Sequence, residues 1–168
     1  GDALELAVAR GRQRRAQLRA RRHKASIPTV ALVGYTNAGK TTLFNKLASE
    51  NAQVSDSLFM TLDPLVRHVS FPDRRELRIS DTVGFIDRLP HSLVAAFRAT
   101  LEEVTSADLL LHVIDASDCD TVRRIRAVNR VLDEVGAKDI RTIEVFNKCD
   151  VMTLSEKKIL AGRYPSAF

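Results

Sequence analysis

The residues best suited to chemistry stand together in one glycine-rich stretch, 34–41, which fits G-x-x-x-x-G-K-[ST] at every fixed position. The glycines let backbone N–H groups curl around phosphates, the Lys40 ammonium can reach the outer phosphates, and the Thr41 hydroxyl is placed to ligate Mg²⁺. An apolar run, 29–33, precedes the stretch and a helical pattern, 42–47, follows it, which is the strand–loop–helix order such a loop requires. We therefore predict a nucleotide phosphate site formed by the loop and the residue after it: Gly34, Tyr35, Thr36, Asn37, Ala38, Gly39, Lys40, Thr41 and Thr42.

A second motif, Asp81-Thr82-Val83-Gly84, follows another strand pattern. The pattern D-x-x-G alone is a weak signal, because it often marks only a turn. After a phosphate loop and at the end of a strand, it predicts that Asp81 holds Mg²⁺ through water and that the Gly84 N–H meets the γ-phosphate. The next residue is Phe85, which cannot orient an attacking water as a glutamine does. We therefore expect unaided hydrolysis to be slow.

A third motif, Asn147-Lys148-Cys149-Asp150, closes a later strand pattern and is typical of guanine selection. The Asp150 carboxylate can accept hydrogen bonds from the guanine N1–H and exocyclic amine, which adenine does not offer together, and each contributes about 1.5–3 kcal/mol. The Lys148 stem can lie over the base, and Asn147 can connect this loop to the phosphate loop. The three motifs in this order predict GTP or GDP, rather than ATP, as the ligand.

The polar segment 50–64 offers candidates for a switch that senses the triphosphate. We assign this role to Thr61, whose hydroxyl and carbonyl would reach Mg²⁺ and the γ-phosphate only in the triphosphate state; Ser55 and Ser57 are the alternatives. The predicted metal ligands are Thr41, Thr61 and Asp81. The predicted catalytic residues are Lys40, Thr61 and Gly84, none of which is a general base.

Asn37 in the phosphate loop occupies the point where potassium-stimulated GTPases hold a monovalent cation beside the phosphates. Stimulation by K⁺ is therefore a hypothesis, and the alternative is an asparagine that only braces the loop.

The composition describes an ordinary globular chain of 168 residues, 45% hydrophobic and 28% charged. It contains no apolar run of membrane-spanning length and no signal-peptide pattern, so we expect a cytoplasmic protein. The net charge of +5 is concentrated in 1–25, which hold eight basic and two acidic residues; the remaining 18 basic and 19 acidic residues nearly cancel. This basic start is interpreted as a solvated helix, an arm that contacts RNA phosphates, or a disordered segment. Cys119 and Cys149 are expected to be buried or half-buried.

From Thr29 onward strand and helix patterns alternate, which predicts a largely parallel sheet covered by helices. Two strand patterns, 65–71 and 76–80, are separated by a turn sequence and predict a hairpin with an antiparallel edge strand. Further strands are expected at 108–115 and 141–146, and helices at 122–135 and 154–163. The predicted fold is an α/β phosphate-loop (P-loop NTPase, Ras-like) domain: a mixed, mainly parallel sheet with helices on both faces. His112 is expected to be a core residue rather than a ligand.

The combination of motifs resembles the HflX family of ribosome-associated GTPases. The resemblance lies in the phosphate loop 33–45 (where that family usually has serine in place of Thr41), the switch segment 59–64, and the second switch with its following helix, 81–103. It implies a GTPase that engages the large ribosomal subunit and its rRNA and helps to split or rescue stalled ribosomes. We separately expect the protein to be a monomer. Within it, 1–28 resembles a basic helical linker from an upstream domain, and 29–168 a GTP-binding domain that lacks its C-terminal end. Ser166 and Ala167 are then interpreted as the start of a last strand rather than as a guanine-bracing loop.

Two alternatives remain at this point. One is a GTP-dependent RNA- or ribosome-docking module with negligible hydrolysis of its own, which Phe85 and the basic start favour. The other is a GTPase of the Obg or Era type that acts in ribosome assembly.

Overall fold

The structure is a computed structural model that describes residues 27–48, 65–71, 73, 75–85 and 98–168. The described residues do not include most of the predicted linker or the switch segment with Thr61, Ser55 and Ser57. They also do not include the start of the second predicted switch helix. The domain division therefore stays a prediction.

A single five-stranded sheet forms the centre of the described fold, in the order β2-β3-β1-β4-β5. Three of its pairings, β1 with β3, β1 with β4 and β4 with β5, are parallel, whereas β2 pairs antiparallel with β3 at the edge. The predicted mixed sheet with one antiparallel edge strand is therefore confirmed. The strands are β1 (Thr29–Val33), β2 (Leu65–Ser70), β3 (Glu76–Asp81), β4 (Leu109–Asp115) and β5 (Thr142–Asn147).

Among the described residues, three α-helices lie between strands and a fourth follows β5, and their bounds lie close to those expected from the apolar spacing. They are α1 (Lys40–Ala48), α2 (Arg98–Ser106), α3 (Thr121–Glu134) and α4 (Leu154–Arg163), with a short 3₁₀ turn at Cys149–Val151. The start of α4 is held by a capping box, in which the Thr153 hydroxyl accepts the Glu156 N–H and the Glu156 carboxylate accepts the Thr153 N–H.

Helices cover both faces of the sheet, as predicted. Every residue of β1 is buried, and successive side chains point to opposite sides. Ala31 and Val33 pack with Val104 of α2 and Val128 of α3, whereas Leu32 packs with Phe44 of α1 on the other face. Burial on both faces explains why the strand sequence is continuously apolar instead of alternating.

The outer side of β5 is lined by the last residues of the chain. The Phe168 N–H donates to the Glu144 carbonyl at 3.0 Å, and the Phe168 carbonyl accepts from the Phe146 N–H at 2.7 Å. This pair of bonds is the pattern of a parallel strand beside β5. Ala167 packs with the cluster that contains Phe146 and, partly buried, Cys149 of the guanine motif.

The cysteine prediction is wrong for one of the two residues. Cys149 is half-buried, but Cys119 is exposed, because it lies in the turn that precedes α3 and not on a packed face. His112, by contrast, is a buried residue of the β4 interior. No helix in the described part of the chain is long and apolar enough to cross a membrane.

Candidate nucleotide-binding site

The phosphate loop lies where β1 ends and α1 begins, at the carboxyl edge of the sheet, where parallel α/β folds bind their ligands. Two of its residues, Asn37 (φ 61°) and Gly39 (φ 92°), have left-handed backbone conformations. Right- and left-handed residues in succession turn N–H groups toward a common point and so form an anion-binding concavity. The positive end of the α1 dipole adds to this attraction, since α1 begins at Lys40.

The Lys40 ammonium points back into the loop that it follows. Its Nζ donates to the Gly34 carbonyl at 3.3 Å and to the Tyr35 carbonyl at 3.2 Å. Burial lowers the pKa of Lys40 to about 8, and the charge of Asp81 partly opposes this shift. The side chain is therefore a desolvated cation, and a phosphate oxygen would supply the negative charge that the two carbonyls do not.

Two oxygen donors meet at the predicted magnesium position. The Thr41 hydroxyl donates to the Asp81 carboxylate at 2.6 Å, and Asp81 is fully buried at the end of β3. Hydroxyl and carboxylate oxygens are the hard ligands that Mg²⁺ prefers, and Mg²⁺ usually completes its octahedron with waters and substrate phosphates. The pair therefore fits Mg²⁺, although no group of three or more His, Cys, Asp or Glu side chains that could hold a metal occurs among the residues described.

The start of the second predicted switch is joined to the phosphate loop through the backbone. The Phe85 N–H donates to the Gly34 carbonyl at 3.0 Å, and the Thr36 N–H donates to the Phe85 carbonyl at 2.8 Å. Gly84 lies directly against Thr36, because a Cβ added to it would come 2.7 Å from the Thr36 Cα. We call the contacts of Gly84 and Phe85 with Gly34 and Thr36 the loop–switch bridge.

The Phe85 side chain lies in the hydrophobic core. It is completely buried in the core cluster that contains Val33, Val104 and Val128. Its side chain therefore cannot take part in orienting water, which agrees with the expectation from its residue type, and it instead fixes the position of Gly84.

The guanine motif is connected to the phosphate loop by two side chains. Asn147 Nδ2 donates to the Ala38 carbonyl at 3.0 Å, and Lys148 Nζ donates to the Asn37 carbonyl at 3.0 Å. Lys148 itself has a left-handed backbone (φ 59°), an uncommon conformation that tends to occur at functional sites. Asp150 follows in the 3₁₀ turn with an exposed side chain, so its carboxylate is accessible to a base.

Two supporting residues were missed by the sequence reasoning. Asp115, at the end of β4, forms an ion pair with Lys148 at 2.8 Å. Burial acts to raise the pKa of Asp115, but hydrogen bonds from Lys148 and Ser117 outweigh it and hold the pKa below its usual value. A carboxylate directly after a buried parallel strand was the available signal, since such strand ends meet at one edge.

The second missed residue is Arg124 of α3. Its guanidinium carbon lies 4.7 Å from the centre of the Tyr35 ring, and its NH2 group pairs with Asp118 at 2.7 Å. This cation–π contact holds the phosphate loop against α3. No local pattern marks it, because it depends on how the loop and the helix pack.

The structure thus brings most of the predicted site residues to one edge of the sheet. The phosphate loop is in contact with Gly84, Asn147 and Lys148, and Thr41 with Asp81. Thr42 is exposed in the first turn of α1, where its backbone rather than its side chain can face a phosphate. Thr61 lies outside the described residues.

Comparison with known proteins gives the family. The model of the family described as "50S ribosome-binding GTPase" matches residues 29–148. The GTPase HflX of Escherichia coli K12 is 49% identical over 156 residues, which cover 93% of this chain and 37% of that protein. The GTPase HflX of Magnetococcus marinus is 56% identical over 132 residues, 77% of this chain and 31% of that protein. The chain thus spans about a third of the length of these relatives.

Among solved structures, a GTP-binding protein from the archaeon Sulfolobus solfataricus in complex with GDP is 28% identical and has a TM-score of 0.64, covering 96% of this chain and 50% of that chain. The sequence matches confirm the resemblance to HflX GTPases, and this neighbour confirms the phosphate-loop fold. With its three nucleotide motifs at the ends of β1, β3 and β5, the chain belongs to the family of 50S ribosome-binding GTPases and resembles its HflX members.

Proposed function

We propose that this chain binds GTP with Mg²⁺, hydrolyses it slowly, and uses the change of nucleotide as a switch on the large ribosomal subunit. The observation that carries the proposal is the convergence of the three motifs, in which Asn147 and Lys148 donate to the phosphate loop while Asp81 lies against Thr41. A site with this arrangement offers a phosphate cradle, a magnesium position and a guanine acceptor in one continuous surface.

The residues of the site have separate tasks in the proposed reaction. Lys40 pairs with the outer phosphates, and Asp150 selects the base. Thr41 and Asp81 would hold Mg²⁺, which neutralises charge on the phosphate oxygens when it is bound. Thr61 is proposed as the switch threonine, on the basis of the sequence alone.

Hydrolysis by this site would rest on position and electrostatics. Phe85 is buried in the core, and the predicted catalytic residues include no general base. The orientation of the attacking water would therefore depend on another group, such as a K⁺ ion held near Asn37 or a residue or nucleotide of the ribosome. Slow basal hydrolysis that accelerates on a partner is the behaviour expected of such a site.

The proposed partner is the large ribosomal subunit, which the chain would engage as a monomer, in the cytoplasm, where ribosomes are. Support comes from membership of the 50S ribosome-binding GTPase family and from the relatives named HflX. A role in splitting or rescuing stalled ribosomes follows from the resemblance and belongs to this proposal.

Single-turnover hydrolysis of GTP in Mg²⁺ would test the proposal, with and without purified large subunits and in KCl or NaCl. We expect the subunit to accelerate hydrolysis and Lys40→Ala to abolish it. Equal rates of hydrolysis in KCl and NaCl would refute the K⁺ hypothesis but not the rest of the proposal. GTP binding with negligible hydrolysis, unchanged by the subunit, would instead support the second candidate, a docking module, which the burial of Phe85 favours.

A further inference from the structure

The exposed face of α3 carries a row of arginines. Arg123, Arg126 and Arg130 are exposed and are spaced by three and four residues, which places them on one side of a helix. The buried residues of the same helix, including Ile125, Val128 and Val131, lie on the opposite side. We call these three arginines the α3 arginine face.

Two members of the face are outside the ion pairs of the described residues. Arg123 forms an exposed ion pair with Asp120 at 3.3 Å, whereas Arg126 and Arg130 form no ion pair with any residue that the structure describes. The nearby Asp133 is already paired with Lys138 at 3.1 Å. Two guanidinium groups one turn apart repel each other, so their charge is unfavourable to the isolated helix.

The charges at the end of α3 are also unfavourable to the helix. Asp120 stands at its start as the N-cap, but its last turn contains acidic residues and no basic residue, although the helix dipole favours bases at the end. The stability of the isolated fold therefore gains nothing from the charges of Arg126 and Arg130. A negatively charged partner accounts for them, because its attraction to each guanidinium offsets the repulsion between the two.

We infer that the α3 arginine face binds phosphates of an RNA strand, which, if the proposed function holds, belongs to the large ribosomal subunit. Arginine presents a planar fork of donors that matches the oxygens of a phosphate. Residues 26–168 hold 18 basic and 19 acidic residues, so the domain as a whole does not attract RNA. The attraction arises from this face and is local.

The face lies on the helix that also contacts the phosphate loop. Arg124 points to the other side of α3 and lies over the Tyr35 ring. RNA bound at Arg126 and Arg130 is therefore separated from the nucleotide site by the width of a single helix, about 10–12 Å.

The test compares the unmodified chain with the neutral double variant Arg126→Gln/Arg130→Gln. A matched control, Lys157→Gln/Lys158→Gln, removes the same charge from two exposed residues of α4. Dissociation constants are measured for purified large ribosomal subunits, and separately for their protein-free RNA, at several KCl concentrations and constant Mg²⁺. The thermal midpoint of each variant establishes that it is folded.

We expect the arginine variant to bind both partners at least tenfold more weakly. Loss of two phosphate contacts should also reduce the slope of log K against log[salt] by about 1.4–1.8, while the lysine control keeps the original slope. Unchanged binding by a folded arginine variant, or equal weakening by the control, would overturn the inference. A loss seen with intact subunits but not with protein-free RNA would also overturn it, because the partner would then be an acidic protein. If the unmodified chain did not bind subunits at all, the proposed function itself would fail.

Discussion

The loop–switch bridge predicts a large effect for a small substitution, Gly84→Ala. The added Cβ would come 2.7 Å from the Thr36 Cα and 3.0 Å from its Cβ. The first of these atoms is backbone, so the contact cannot be relieved by a side-chain rotation. The bridge must therefore open, which lengthens the bonds from Phe85 to Gly34 and from Thr36 to Phe85, now 3.0 and 2.8 Å.

The size of the effect follows from these contacts. Overpacking of this kind costs about 1–3 kcal/mol, and weakening two backbone hydrogen bonds adds about 0.5–1.5 kcal/mol for each. We expect the free energy of unfolding to fall by about 2–6 kcal/mol, which corresponds to a midpoint lower by about 4–24 °C in a protein of this size.

Thermal and urea unfolding of the nucleotide-free protein would measure this difference. Gly162→Ala is the matched control, because a Cβ at this exposed position of α4 would have no atom within 4 Å; it should stabilise the chain by about 0.5–1 kcal/mol. If Gly84→Ala were as stable as the unmodified chain, the loop–switch bridge would not exist in solution.

Two further predictions concern stability. Burial lowers the pKa of His112 from 6.5 to about 4, with the Lys40 charge adding to the shift. Between these pH values the unfolded chain binds a proton that the folded chain excludes, so the free energy of unfolding of the unmodified protein should fall by about 3 kcal/mol as the pH falls from 6.5 to 4. Urea titrations at several pH values should show no such contribution in His112→Leu. If the free energy of unfolding depended on pH in the same way in both proteins, the prediction would be contradicted. Thr153→Ala removes the hydroxyl that accepts the Glu156 N–H at 3.3 Å and should lower the free energy of unfolding by about 0.5–2 kcal/mol. Ser155→Ala, which removes a hydroxyl from the same helix but no cap, is its control. An equal loss of stability in both variants would count against the cap.

The fold and the core of the site could be predicted because their signals are local. The spacing of glycines and Lys40 defines the phosphate loop within eight residues, 34–41. Continuous apolar runs such as 29–33 predict buried parallel strands, and the position of Pro72 to Arg75 between two strand patterns predicts the hairpin.

The contacts that support the site depend on which strand ends are neighbours, and this information is not local. Asp115 and Lys148 are separated by many residues, but Asp115 ends β4 and Lys148 directly follows the adjacent strand β5. Phe85 shows a similar limit. Its residue type indicated that it cannot position water, but only the packing shows that it anchors the second switch in the core.

The central claim is that these motifs form one guanine-nucleotide site, and nucleotide selectivity tests it most directly. The measurement is the dissociation constants of GTP and XTP for the unmodified chain and for Asp150→Asn. Asp150 is expected to accept two hydrogen bonds from guanine, each contributing about 1.5–3 kcal/mol. The unmodified chain should therefore prefer GTP, and the variant should lose GTP affinity by about 10²–10⁴-fold while it gains affinity for XTP, whose ring carries an acceptor oxygen in place of the amine. Unchanged GTP affinity in a folded Asp150→Asn variant would contradict the account.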